Sequence, residues 1–139
     1  MKNNIILINI VRLISPLIIF FGLYILTNGE DSPGGAFQAG AIFASNIILL
    51  DMVGLFKSTN LLKKILLILS PIGILIYASV GIISIYYGYN FLDYSALASD
   101  ALYSEYLGIF IIEIGISITI SSVLSLLYFA FKIDNEYVQ

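Results

Sequence analysis

The chain has 139 residues, of which 60% are hydrophobic and 11% charged, with a mean hydropathy of +1.02 and a formal net charge of −3. A soluble domain carries about a quarter charged residues, so this composition excludes an ordinary soluble domain and predicts one transmembrane domain over residues 1–139. The sequence has no Cys and no His, which excludes a His- or Cys-ligated haem, an iron–sulfur cluster, the usual zinc site and a His-based triad. We therefore expect no enzyme active site, no cofactor and no metal in this chain. No basic patch points to nucleic acid.

Four apolar segments are long enough to cross a bilayer, which takes about 20 mostly apolar residues. They predict an all-α integral membrane protein with four transmembrane helices, near residues 5–26, 35–56, 66–87 and 107–131. The first segment is expected to be kept rather than cleaved as a signal peptide. Its apolar run is too long for one, and it contains Arg12 and Pro16.

The lysines predict the orientation of these helices. All of them fall on one side of the topology, at Lys2, Lys57, Lys63, Lys64 and Lys132, whereas the opposite loops carry only acidic charges. The positive-inside rule then places both termini in the cytoplasm of a multi-pass protein in the cell (plasma or inner) membrane. The outer connection, residues 88–105, has two open interpretations: a short amphipathic helix at the interface or a solvated loop.

Three charged residues lie inside the apolar segments, namely Arg12, Asp51 and Glu113. A charge at mid-bilayer costs at least about 2.5 kcal/mol, so each needs a partner, water or a route to the interface. Arg12 and Asp51 both lie toward the cytoplasmic ends of neighbouring helices. They either form an inner ion pair or extend separately to the interface.

Glu113 has no cation of this chain within reach by this topology. We expect it to be protonated, to face water or to pair with another subunit. Ser117, Ser121 and Ser125 follow it at intervals of four residues, which places a polar stripe along helix 4. This stripe either lines an ion path, or forms a packing seam in which each hydroxyl binds a carbonyl of its own helix.

A compact turn connects helices 1 and 2, and its sequence is NGEDSPGGAFQAG, residues 28–40. Ser32 and Pro33 suit the N-cap and first turn of helix 2, while Gly34 and Gly35 allow close backbone approach. Ala36, Gly40 and Ala44 form a face of small residues on which another helix can pack.

The stretch SPLIIFFGLYILTNGEDSPGGAFQAGAI, residues 15–42, closely resembles the MrpB/MnhB family, the B-type subunits of the multisubunit Mrp-type cation/proton antiporters. The matching residues are Pro16, Phe21, Gly22, Tyr24, Gly29, Pro33, Gly34, Gly35, Phe37, Gln38 and Gly40. A second stretch, IEIGISIT at residues 112–119, is similar to the last-helix motif in one branch of the family. Glu30 stands where the family often has His, and Ala36 and Ala39 stand where Gly is common.

The resemblance implies an accessory subunit that packs against other subunits of a complex exchanging sodium for protons, in contact with membrane lipid. Similar modules occur in membrane-bound hydrogenases and ferredoxin-driven complexes, and the sequence does not separate these assemblies. A purely structural subunit is a further alternative.

Overall fold

Four long helices and one short one make up the fold. The computed structural model describes residues 5–29, 35–56, 60–98 and 100–137, and these contain no strand. In chain order the helices are α1 (Ile5–Thr27), α2 (Ala36–Val53), α3 (Asn60–Tyr86), a 3₁₀ helix (Tyr94–Ala96) and α4 (Ala101–Tyr137). Pro16 lies inside α1 and Pro71 inside α3. The predicted all-α, four-helix class is confirmed.

Each of the four α-helices is long and apolar enough to cross a membrane. Their outward faces carry large apolar side chains, such as Leu13, Phe20 and Leu75, which are 73, 71 and 66% exposed. The buried positions hold mostly small or polar residues, including Ala39, Ala44 and Ser125. This distribution is what a lipid environment allows, since apolar side chains lose nothing by facing lipid and close helix packing needs small residues.

The helices do not pack in chain order. Among the described residues, α1 contacts α2, while α4 lies between α2 and α3 and packs against both, and α2 and α3 share no contact. The lateral order is therefore α1, α2, α4, α3. We call the end of the bundle that holds the α1–α2 turn the turn end, and the opposite end, where Lys132 lies, the lysine end.

Close backbone approach on two sides holds α4 in the middle. On the α2 side, a Cβ built on Gly40 would lie 2.8 Å from the Ser117 carbonyl oxygen. On the α3 side, one built on Gly115 would lie 2.7 Å from the Gly73 carbonyl oxygen. Neither site has room for a side chain, so glycine at these positions sets how closely the helices approach.

Several helix ends differ from the sequence prediction by three residues or more, and α4 also extends to Tyr137, beyond the predicted end at residue 131. α2 stops at Val53 because Gly54 adopts φ +81°, a left-handed cap whose N–H binds the Asp51 carbonyl. α3 begins at Asn60, because the helix continues through Lys63 and Lys64 to residues that precede the long apolar run. α4 begins at Ala101, where the Asp100 carboxylate accepts the Leu102 N–H at 3.2 Å and caps the helix.

The connection between α3 and α4 is neither a free amphipathic helix nor a fully solvated loop. It forms the short 3₁₀ helix and folds back on the bundle, with the Phe91 ring against Gly81 and the Tyr94 ring against Gly108. The Ser84 hydroxyl donates to the Asp93 carbonyl at 2.8 Å, which ties the loop to α3.

Candidate functional site at the turn end

The Glu113 carboxylate lies directly against the turn between α1 and α2. A Cβ built on Gly29 would lie 2.5 Å from Glu113 Oε1 and 3.2 Å from the Gly35 Cα. One built on Gly35 would lie 3.5 Å from the same carboxylate oxygen. Gly29 thus leaves the space that this carboxylate occupies, Gly35 lies in ordinary contact distance of it, and α1, α2 and α4 meet at this point.

The first turn of α2 begins beside this carboxylate. Gly35 is the N-cap, with extended backbone, and the Gln38 side chain accepts its N–H at 3.0 Å. Gln38 therefore caps its own helix. The first N–H groups of a helix have no partner within it and carry partial positive charge, which favours a nearby carboxylate. The turn end of α2 thus supplies a favourable environment for an anionic Glu113.

The predicted N-cap of α2 was one turn too early. We expected Ser32 to cap the helix and Pro33 to begin it, whereas Gly35 occupies the cap. The reason is the Gln38 side chain, which satisfies the cap N–H and so defines the helix start at Ala36. Ser32, Pro33 and Gly34 lie outside the described residues.

Gly40 allows α2 to approach α4 closely, and the small residues one turn before and after it are buried. Ala36 and Ala44 are buried, and Gly40 meets both the Ser117 carbonyl and the Ile120 side chain. Phe37, by contrast, points outward and is 59% exposed. The α2 face of small residues therefore serves contacts within this chain, while Phe37 faces the surroundings of the bundle.

The three serines of the stripe each bind a carbonyl of their own helix. Ser117 donates to Ile114 at 2.9 Å, Ser121 to Ile118 at 3.0 Å, and Ser125 to the Ser121 carbonyl at 2.7 Å. Ser117 and Ser125 are also buried. These bonds favour the packing interpretation over an ion-lining face, because hydroxyls bound to the backbone and covered by neighbours offer little to a passing ion.

At the lysine end the structure gives Asp51 a partner that differs from the predicted one. Its Oδ2 lies 2.5 Å from the Lys132 Nζ and accepts the Tyr128 hydroxyl at 2.9 Å. Arg12 is exposed and forms no ion pair with Asp51 in the described part of the chain. Arg12 follows Val11, which is buried in the α1 packing face, so the helical twist turns Arg12 away from it.

Sequence reasoning missed Lys132 and Tyr128 at this position. The available signal was the four-residue interval between them, which places both on one face of α4 near its end. Nothing in the sequence showed that α4, rather than α3, lies beside α2. In the described residues no three His, Cys, Asp or Glu side chains converge to hold a metal ion.

Comparison with known proteins decides the family. The family model described as "Domain related to MnhB subunit of Na+/H+ antiporter" matches residues 6–134, nearly the whole chain. The chain belongs to the MnhB family. Among MnhB relatives, the Na(+)/H(+) antiporter B-type subunit of Bacillus subtilis (strain 168) is 28% identical over 131 residues, covering 85% of this chain and 90% of that protein.

A second MnhB relative is mnhB2 of Staphylococcus aureus (strain Newman), 30% identical over 95 residues, or 66% of each chain. No solved structure matches the chain. The predicted family is confirmed, and with four apolar helices the chain is a multi-pass membrane protein. In this MnhB-family chain, Glu113 and the α1–α2 turn lie within the matched residues.

Proposed function

We propose that this chain is an accessory subunit of a multisubunit Na+/H+ antiporter complex and that Glu113 takes part in its cation or proton path. The family model and the names of the relatives support the complex. The single observation that supports the site is the Glu113 carboxylate held against Gly29 and Gly35 at the N-terminus of α2. The chain itself carries out no catalysis in this proposal.

The position of Glu113 supports a role in charge transfer. It lies within the apolar span of α4, Leu102–Lys132, at the level where α1 ends and α2 begins. An ionisable group within a membrane-spanning segment is costly to keep there and is a functional candidate by default. A carboxylate beside a helix N-terminus can hold a negative charge there and exchange a proton or cation.

We further propose that both termini face the cytoplasm, so that the turn end and Glu113 lie toward the outside. The lysines support this orientation, because those in the described residues, Lys63, Lys64 and Lys132, all lie at the lysine end. The partners in this proposal are the other subunits of the complex, the lipid around it, and the sodium and protons that it exchanges.

Replacement of Glu113 by Gln tests the site. The complex carrying Glu113→Gln should assemble but lose most Na+-dependent proton exchange, measured in inverted membrane vesicles with a pH-sensitive dye. Glu105→Gln is the matched control, because Glu105 lies on the same helix but is exposed. Normal exchange by Glu113→Gln would reject the site.

A purely structural subunit is the second candidate, and the serine stripe favours it. Since its hydroxyls bond within α4, helix packing explains them without an ion. Under this alternative, Glu113→Gln lowers the amount of intact complex on a native gel in parallel with exchange. Exchange per assembled complex then stays constant, which separates the two candidates.

A further inference from the structure

A second buried carboxylate, that of Asp51, lies at the lysine end. Asp51 is 3% exposed and lies in the last turn of α2, with the Lys132 ammonium and the Tyr128 hydroxyl both on its Oδ2. Lys132 also lies 5.9 Å from the centre of the Tyr128 ring. The three side chains therefore form one compact cluster between α2 and α4.

The two charged members of this cluster differ in their freedom to leave. The Lys132 side chain is 34% exposed, while that of Asp51 is 3% exposed. A lysine carries its ammonium on a flexible four-carbon chain that reaches water readily. Asp51 has a short side chain on a packed helix and must stay. If the ammonium leaves, the buried carboxylate loses the positive charge of Lys132, and a cation in that place would restore it.

The surroundings of Asp51 suit a small cation. The C-terminal end of α2 carries partial negative charge, which favours a cation at its last turn. The carboxylate and the Tyr128 hydroxyl supply oxygen atoms, the ligand type that hard cations prefer. A cation that replaced the Lys132 ammonium would thus find the same negative environment.

We propose that Asp51 is a cation-exchange site at the lysine end. The Lys132 ammonium occupies the site in the structure, and Na+ or another small monovalent cation takes it when that ammonium moves to water. The inference rests on the proposed function in one respect: the complex that contains this chain transports such a cation. It does not depend on Glu113.

The test compares the Na+ dependence of exchange in vesicles that contain the assembled complex, at one fixed pH. Lys132→Gln removes the competing ammonium, so the half-saturating Na+ concentration should fall at least about fivefold. Asp51→Asn removes the charge that binds the cation, so this concentration should rise at least about fivefold. Lys64→Gln is the matched control, since Lys64 is an exposed lysine at the same end of the bundle and should have no effect.

The double variant Asp51→Asn/Lys132→Gln separates cation exchange from a merely structural ion pair. In a structural role, two neutral side chains restore both assembly and the wild-type Na+ dependence. In a cation-exchange role they restore assembly, while the half-saturating Na+ concentration stays as high as in Asp51→Asn. Recovery of the wild-type Na+ dependence would overturn the proposal.

If Lys132→Gln does not assemble, Tyr128→Phe decides. This variant keeps the ion pair and removes only the phenolic oxygen, so the half-saturating Na+ concentration should rise. An unchanged value would overturn the proposal. Glu113→Gln is measured in the same experiment to distinguish the two sites. If Glu113→Gln exchanges normally and the Asp51 variants show a shifted Na+ dependence, the role of Glu113 is rejected and that of Asp51 is retained.

Discussion

Gly115 of α4 meets Gly73 of α3 backbone to backbone. A Cβ built on Gly115 would lie 2.7 Å from the Gly73 carbonyl oxygen, and one built on Gly73 would strike the Gly115 carbonyl. Beside this contact the Thr119 hydroxyl donates to the Ser70 carbonyl at 3.1 Å. The α3–α4 pair is thus held by close packing and by this interhelical hydrogen bond, as expected where lipid surrounds the helices.

This contact predicts a strong effect of Gly115→Leu. The added side chain has no space against α3, and forcing it in should destabilise the helix pair by about 1–3 kcal/mol or more. Thermal unfolding in detergent, detected as loss of the folded band on a gel, measures this destabilisation. Ala130→Leu is the control, since Ala130 is exposed on the same helix. Equal stability of the two variants would contradict the close approach.

The glycines beside Glu113 predict different outcomes for two similar substitutions. Gly29→Ala would put a methyl group 2.5 Å from Glu113 Oε1, so the carboxylate must move. Gly35→Ala would put one at 3.5 Å, an ordinary contact, and the extended backbone of Gly35 accepts any residue.

We therefore expect Gly29→Ala to lower Na+-dependent exchange about tenfold, equivalent to about 1.4 kcal/mol, while Gly35→Ala keeps most of it. Exchange is normalised to assembled complex on a native gel. Similar exchange in the two alanine variants would show that the position of the carboxylate does not matter.

The loop that follows α3 depends on a buried serine. Ser84 is fully buried and donates to the Asp93 carbonyl. Ser84→Ala leaves that carbonyl without this donor and should weaken loop docking by about 1–3 kcal/mol. Faster cleavage of the loop by protease in detergent is the readout. Ser79→Ala should cleave at the wild-type rate, because Ser79 is exposed and binds only its own helix.

The proposed orientation is testable because the sequence has no cysteine. A single cysteine at Asn90, exposed in the loop after α3, should react with a membrane-impermeant maleimide added to intact cells. A single cysteine at Lys64, exposed in the first turns of α3, should react only after the membrane is opened. The reverse pattern would place the termini outside.

The sequence by itself determined the class of protein, the number of helices and the family. These follow from signals that are local along the chain. Apolar length defines a membrane helix without reference to neighbours, and the turn motif is contiguous from Asn28 to Gly40. Helix ends were less well predicted, as at Gly35 and Asp100, because capping depends on which side chain reaches which N–H group.

Only the tertiary structure decided which residues meet. Asp51 pairs with Lys132 instead of Arg12, and Glu113 lies against Gly29, because α4 packs between α2 and α3. Apolar side chains face lipid as readily as protein, so hydropathy does not specify the lateral order of four such helices. That order depends on close approach at a few small residues, which appears only when the helices are packed together.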